Sequence, residues 1–91
     1  MKTRLHFHFY GSVQGVGFRY TAYHLAQSLG LTGWVRNDWD GSVQMEAQGD
    51  SDAISRMLER LDAAPFIQID RLEQAEIPVL SHDLCFEVRG D

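Results

Sequence analysis

The segment Gly11-Ser-Val-Gln-Gly-Val-Gly-Phe-Arg19 brings together what is needed to hold an anion. Three glycines in seven positions mark a loop with unusual backbone angles or a close backbone approach. Such a loop lets consecutive N–H groups converge on one point. A helical spacing begins at Phe18, and its first turn adds partial positive charge. Arg19, one step inside that helix, offers a permanently charged planar fork matched to phosphate oxygens. Alone, a Gly-rich loop reads more simply as a turn, with Arg19 on a solvated face. The glycines are not those of a dinucleotide fingerprint, and no Lys-Ser/Thr pair follows them as in a P-loop.

Asn37 precedes a second turn, Asp38-Trp39-Asp40-Gly41. An amide is no base at neutral pH, but it can hold a water in line for attack. Asn before a turn more often satisfies backbone groups, and taken alone the residue favours that structural role. His6 and His8, spaced i, i+2 on one strand, could place two metal ligands on one face. No cysteine or carboxylate cluster beside them completes a site, so they read as sheet-face histidines. His24 and His82 read as solvated, Trp34 as packing, and Asp70, Glu73 and Glu76 as a solvated edge. Arg36 and Arg89 could steer anions but read as solvent-exposed. Cys85 reads as a buried or half-buried structural thiol, because residues 84–89 alternate in polarity.

The elements that must position these groups follow from periodicity. Residues 4–10 alternate strictly, with Leu5, Phe7 and Phe9 one way and His6, His8 and Tyr10 the other. That is a strand with an apolar face for helices and a polar face for water. Phe18, Ala22, Leu25, Ala26 and Leu29 form a helical stripe that Gly30 ends. Residues 32–37 and 42–48 read as strands joined by the Asp-Gly turn. Asp50 or Ser51 caps a second helix with Ile54, Met57, Leu58 and Leu61 on its apolar side. It stops near Ala63-Ala64-Pro65. Residues 69–77 form a less clearly patterned strand, and 84–89 a last one. The order β-α-β-β-α-β-β suggests an α+β sandwich of ferredoxin-like, split βαβ type. Its sheet is mostly antiparallel, with two helices on one face and a short extra strand.

The chain has 91 residues, which fits one domain over residues 1–91. A hydrophobic share of 44% and a charged share of 23% argue against disorder. No apolar stretch could span a bilayer, and residues 1–4 lack a signal peptide's apolar centre, so a cytoplasmic location is expected. A single cysteine allows no internal disulfide. The net charge of −5 opposes non-specific nucleic-acid binding. An anionic ligand would therefore depend on a local positive spot. The RNP1-type aromatic and basic strand of RNA-binding ferredoxin-like domains is also missing.

The first segment matches Gly-x-Val-Gln-Gly-Val-x-Phe-Arg throughout. The second, residues 33–49, reads Gly-Trp-Val-Arg-Asn-Asp-Trp-Asp-Gly-Ser-Val-Gln-Met-Glu-Ala-Gln-Gly. It matches Gly-Trp-Val-x-Asn-x-x-x-Gly-x-Val, with Gly49 following. Together, in this order and at this separation, they resemble the acylphosphatase family, as does the tail Phe86-Glu87-Val88-Arg89. The resemblance implies a ferredoxin-like fold and hydrolysis of acyl phosphates, with no metal, organic cofactor or phosphoenzyme. It implies that Arg19 binds the phosphate with the backbone N–H groups of Gln14, Gly15, Val16, Gly17, Phe18 and Arg19. It also implies that Asn37 orients the attacking water. The expected partners are a small acyl phosphate and inorganic phosphate, as product and competitive inhibitor, with no nucleic acid or membrane. Nothing requires more than a monomer. The family includes domains within hydrogenase-maturation proteins, so a binding module is the rival reading.

Overall fold

The computed structural model describes residues 1–90. The strictly alternating segment becomes β1 (Lys2–Ser12), longer at both ends than its pattern indicates. The glycine loop leads into α1 (Phe18–Leu29), then β2 (Thr32–Asn37), β3 (Val43–Asp50), α2 (Ser51–Ala63), β4 (Gln68–Ile77) and β5 (Phe86–Arg89). The sheet runs β4-β1-β3-β2-β5. Every neighbouring pair is antiparallel except β2 with β5, which run parallel. This is the expected ferredoxin-like α+β arrangement.

Register follows from which side chains must be buried. Phe7 lies opposite Met45, and Phe9 opposite Val43. Val35 pairs with Met45 on the far side of β3. These residues face Phe18, Ala22 and Ala26 of α1 and Ile54, Met57 and Leu61 of α2, all in one buried cluster. Each large side chain so buried contributes roughly 1.5–3 kcal/mol. A one-residue slip of β1 would turn His6 and His8 into this core, so the register is strongly specified. α2 starts where its sequence indicates, with the Asp50 carboxylate accepting from Asp52 N at 3.0 Å.

The opposite face departs from expectation, because it is not simply turned to water. Arg4 is only 2% exposed there. Its Nε and Nη2 reach Glu46 Oε1 at 3.0 and 2.8 Å, and its Nη1 reaches Asp83 Oδ2 at 2.7 Å. The chain between β4 and β5 is tied over this face, with Gln48 exchanging hydrogen bonds with both Leu80 N and Leu80 O at 2.8 Å. Trp34 is buried beneath His6, Arg36 and Arg89, the two guanidinium carbons lying 5.1 and 4.7 Å from its ring centroid. Arg36 and Arg89 thus pack on an aromatic face rather than simply extending into solvent.

The last strand starts later than the pattern suggests. Pairing with β2 begins at Phe86, and Leu84 is 88% exposed. Cys85 is therefore exposed, not buried or half-buried as its alternation indicates. Its carbonyl nevertheless accepts from Gly33 N at 3.0 Å, which fixes the entry to β5.

Candidate active site

The junction from β1 to α1 is irregular from the end of the strand onward. The β1–β4 pairing shifts register between Tyr10 and Gly11, and Val13 turns inward to the core. Gly15 and Gly17 then adopt positive φ angles of 73° and 80°. A side-chain-bearing residue would be strained at either position. Turns of this kind aim successive N–H groups to one side. Gly17 is the N-cap of α1, and among the described residues no side chain caps that helix or places an acid in its first turn. The helix's own first turn thus adds no negative charge against its partial positive end.

The two sequence segments meet here. A cavity of about 170 Å³ is lined by Val13, Gly15, Gly17, Phe18, Arg19, Tyr20 and Asn37. Phe18 forms part of its floor, packed on Phe9 with ring centroids 4.9 Å apart. Arg19 Nη1 donates to the main-chain oxygen of Arg89 at 3.0 Å, at the end of β5. Asn37 comes from the last position of β2, paired with Val43. Val16 packs against the core beside the cavity rather than lining it.

Gln14 is expected only as a main-chain donor, and its side chain does something further. Its Nε2 donates to Asp38 O at 2.7 Å and to Ser42 O at 2.8 Å. No local pattern could have revealed this, because the partners lie 24 and 28 residues ahead.

The two histidines also gain partners that their own strand does not show. His6 lies between Glu46 Oε2 at 2.8 Å and Gln44 Oε1 at 2.7 Å. His8 Nε2 lies 2.6 Å from Ser42 Oγ and 3.7 Å from Asp38 Oδ2. His8, Asp38 and Asp40 bring ligand-type atoms within 4.8 Å of one another. The expectation that no carboxylates gather beside His8 is therefore corrected, because the turn after β2 folds back towards β1. Each of these groups is engaged. Asp38 accepts from Gln44 and Arg36, at 2.6 and 3.3 Å. Asp40 accepts from the Ser42 hydroxyl and amide, which hold its carboxyl below the usual range. The cluster fastens the turn next to Asn37.

Size alone does not select the site. A larger cavity of about 380 Å³ lies between α2 and β4. Its charged lining is Glu59, Asp62, Asp70 and Arg71, a negative balance that repels an anion.

A ferredoxin-like domain with a glycine turn, a helix N-cap glycine and an arginine on one cavity defines a class of small α+β proteins. The sequence matches the acylphosphatase family over residues 5–88. The chain belongs to that family, whose enzymes hydrolyse acyl phosphates. An acylphosphatase of Ligilactobacillus salivarius is 42% identical over 76 residues, covering 81% of this chain and 84% of the relative. The crystal structure of acylphosphatase from Bacillus subtilis superposes with a TM-score of 0.88 at 31% identity, covering 98% of this chain and 99% of that one. A carbamoyltransferase HypF2 of Cupriavidus necator is 53% identical over 64 residues, which are 68% of this chain but 8% of that protein.

Proposed function

We propose that this chain hydrolyses the carboxyl–phosphate bond of small acyl phosphates by in-line attack of water on a bound phosphoryl group. Arg19 and the main-chain N–H groups of residues 14–19 hold the phosphoryl oxygens. Asn37 orients the water. Oxygen from water bonds to phosphorus as the bond to the carboxyl oxygen breaks, giving a carboxylate and inorganic phosphate. The observation that carries this reading is the single cavity shared by Arg19, Asn37, Gly15 and Gly17. A water needs roughly 10–15 Å³ of cavity, so the space accommodates one beside a phosphoryl group.

The chemistry suits so few groups. Phosphoryl transfer has a loose transition state, and positioning and charge stabilisation do most of the work. The leaving carboxylate has a conjugate acid of pKa about 4, so it departs without a strong general acid. The phosphate's own oxygens accept the proton of the attacking water. Neither a metal ion nor an organic cofactor has a part in this scheme. Inorganic phosphate occupies the same place as a competitive inhibitor.

The test is hydrolysis of benzoyl phosphate, with and without EDTA, by the wild type, Arg19→Gln and Asn37→Ala. Both variants should fold. Arg19→Gln should lose activity together with phosphate inhibition, and Asn37→Ala should lose kcat while phosphate still inhibits. Near-normal turnover by either folded variant refutes its assigned role. The likeness to a segment of HypF2 favours a second reading, in which the pocket holds carbamoyl phosphate for a larger partner. Tight carbamoyl phosphate binding without turnover of any acyl phosphate would select it.

A further inference from the structure

Beyond the groups that touch substrate, something must fix the distance between the two halves of the site. The phosphate cradle belongs to the β1–α1 loop, whereas Asn37 belongs to the end of β2. These segments are far apart in sequence, so a contact between them has to set their relative position. We propose that the Gln14 side chain is a positioning residue that sets Asn37 against the cradle. This rests on the reading of the cavity given above.

The geometry is specific. The Gln14 amide spans the mouth of the 38–42 turn, donating to Asp38 O at 2.7 Å and Ser42 O at 2.8 Å. The same two residues close that turn, with Asp38 N donating to Ser42 O at 2.9 Å. Both atoms facing Gln14 are carbonyl acceptors, so only the NH2 end of the amide fits, and both its hydrogens are used. Asp38 directly follows Asn37, so the clamp acts one residue from the amide that holds the water. At its other end, Gln14 begins the cradle itself and precedes Gly15. One side chain thus ties the phosphate-holding segment to the water-holding segment. A carboxylate of the same shape could not replace it, because it would face two carbonyl oxygens with no proton to give.

The site then divides its labour. Arg19 and the loop N–H groups can bind phosphate wherever Asn37 lies, but in-line attack needs both halves in register. A misplacement of about 1 Å can cost about 10²-fold in rate.

The experiment uses Gln14→Glu, which keeps the shape, and Gln14→Met, which keeps the volume, each alone and with Asn37→Ala. Folding is checked by circular dichroism and urea unfolding. Steady-state hydrolysis gives kcat, and inorganic phosphate inhibition gives Ki. The expected result is a fall in kcat of about 10–100-fold, with Ki changed by less than about threefold. Because Gln14 acts through Asn37, Gln14→Met should lower kcat little further in the Asn37→Ala background. A folded Gln14→Met that keeps wild-type kcat overturns the proposal, as does a Ki that weakens in step with kcat. Fully additive losses in the double variant also overturn it. If Asn37→Ala alone keeps full kcat, the water-holding reading fails instead, and the two failures are told apart.

Discussion

Arg19 Nη1 and the main-chain oxygen of Arg89 are 3.0 Å apart, so the first turn of α1 is fastened to the end of β5. A guanidinium has five donors in a fixed fork, and one committed to a carbonyl leaves the fork's orientation set. A lysine keeps the charge but presents a compact ammonium on a flexible stem. Arg19→Lys is therefore expected to lower kcat/KM for an acyl phosphate by about 10²-fold, the scale of losing one preorganised donor. Phosphate inhibition should weaken in parallel. Steady-state kinetics decide the matter, and a variant within a few-fold of wild type would show that charge alone suffices.

Gly17 offers a separate test of the loop. Among the described residues a Cβ there would meet nothing within 4 Å, so its φ of +80° is the main obstacle. Gly30, at the other end of α1, has a φ of +70° and equally open surroundings. Alanine at either position should cost about 1 kcal/mol, which lowers Tm by about 4–8 °C in a domain of this size. Only Gly17→Ala should also weaken phosphate inhibition, because only Gly17 lines the cavity. Equal effects of both on Ki would remove the loop's conformation from the binding argument.

The contrast between these residues and others shows what a sequence can disclose. β1 and α1 were legible because Phe7, Phe9, Phe18, Ala22 and Ala26 keep the periods of their elements and meet one core. Gly11 to Arg19 and Asn37 were legible as linked motifs, and the fold brings Arg19 and Asn37 to one cavity. β4 was faint because it is an edge strand with nearly all its residues exposed, so burial imposes no clear alternation. The pattern places Cys85 wrongly because Leu84 and Phe86 look alike in it, yet only Phe86 is paired with β2 and buried. The Gln14 clamp, the cover over Arg4 and the carboxylates near His8 all join residues more than 20 positions apart. Such contacts leave no trace in any local window.

Arg4 is a test of buried charge. It is nearly inaccessible and shared by Glu46 and Asp83, which are each about one-fifth exposed. Removing one acid leaves a buried cation short of a partner. Glu46→Ala is expected to cost about 3 kcal/mol, the low end for breaking a buried pair, since Asp83 remains. Arg4→Met removes the buried charge and leaves two acids that water can reach. It should cost less, about 1 kcal/mol. Urea unfolding midpoints measure both, and the order of the two variants is the decisive outcome.

The same residue predicts how stability responds to acid. Burial is the largest single effect on Glu46 and would raise its pKa, but hydrogen bonds from His6 and Arg4, with their charges, outweigh it. The carboxyl is therefore held below its ordinary value in the folded chain. Between the folded and unfolded values, the unfolded chain binds more protons than the folded one, so stability rises with pH across that window. The contribution is complete above the unfolded pKa of about 4.3, and it is lost as pH falls through the folded value. Glu46→Gln cannot titrate, while carboxylates that share no partner with Glu46 cancel in the comparison. Unfolding free energies of wild type and Glu46→Gln, measured in urea from pH 6 down to pH 3, should therefore converge as pH drops. A gap that stays constant over that range would mean that the Arg4 and His6 contacts do not favour the ionised form of Glu46.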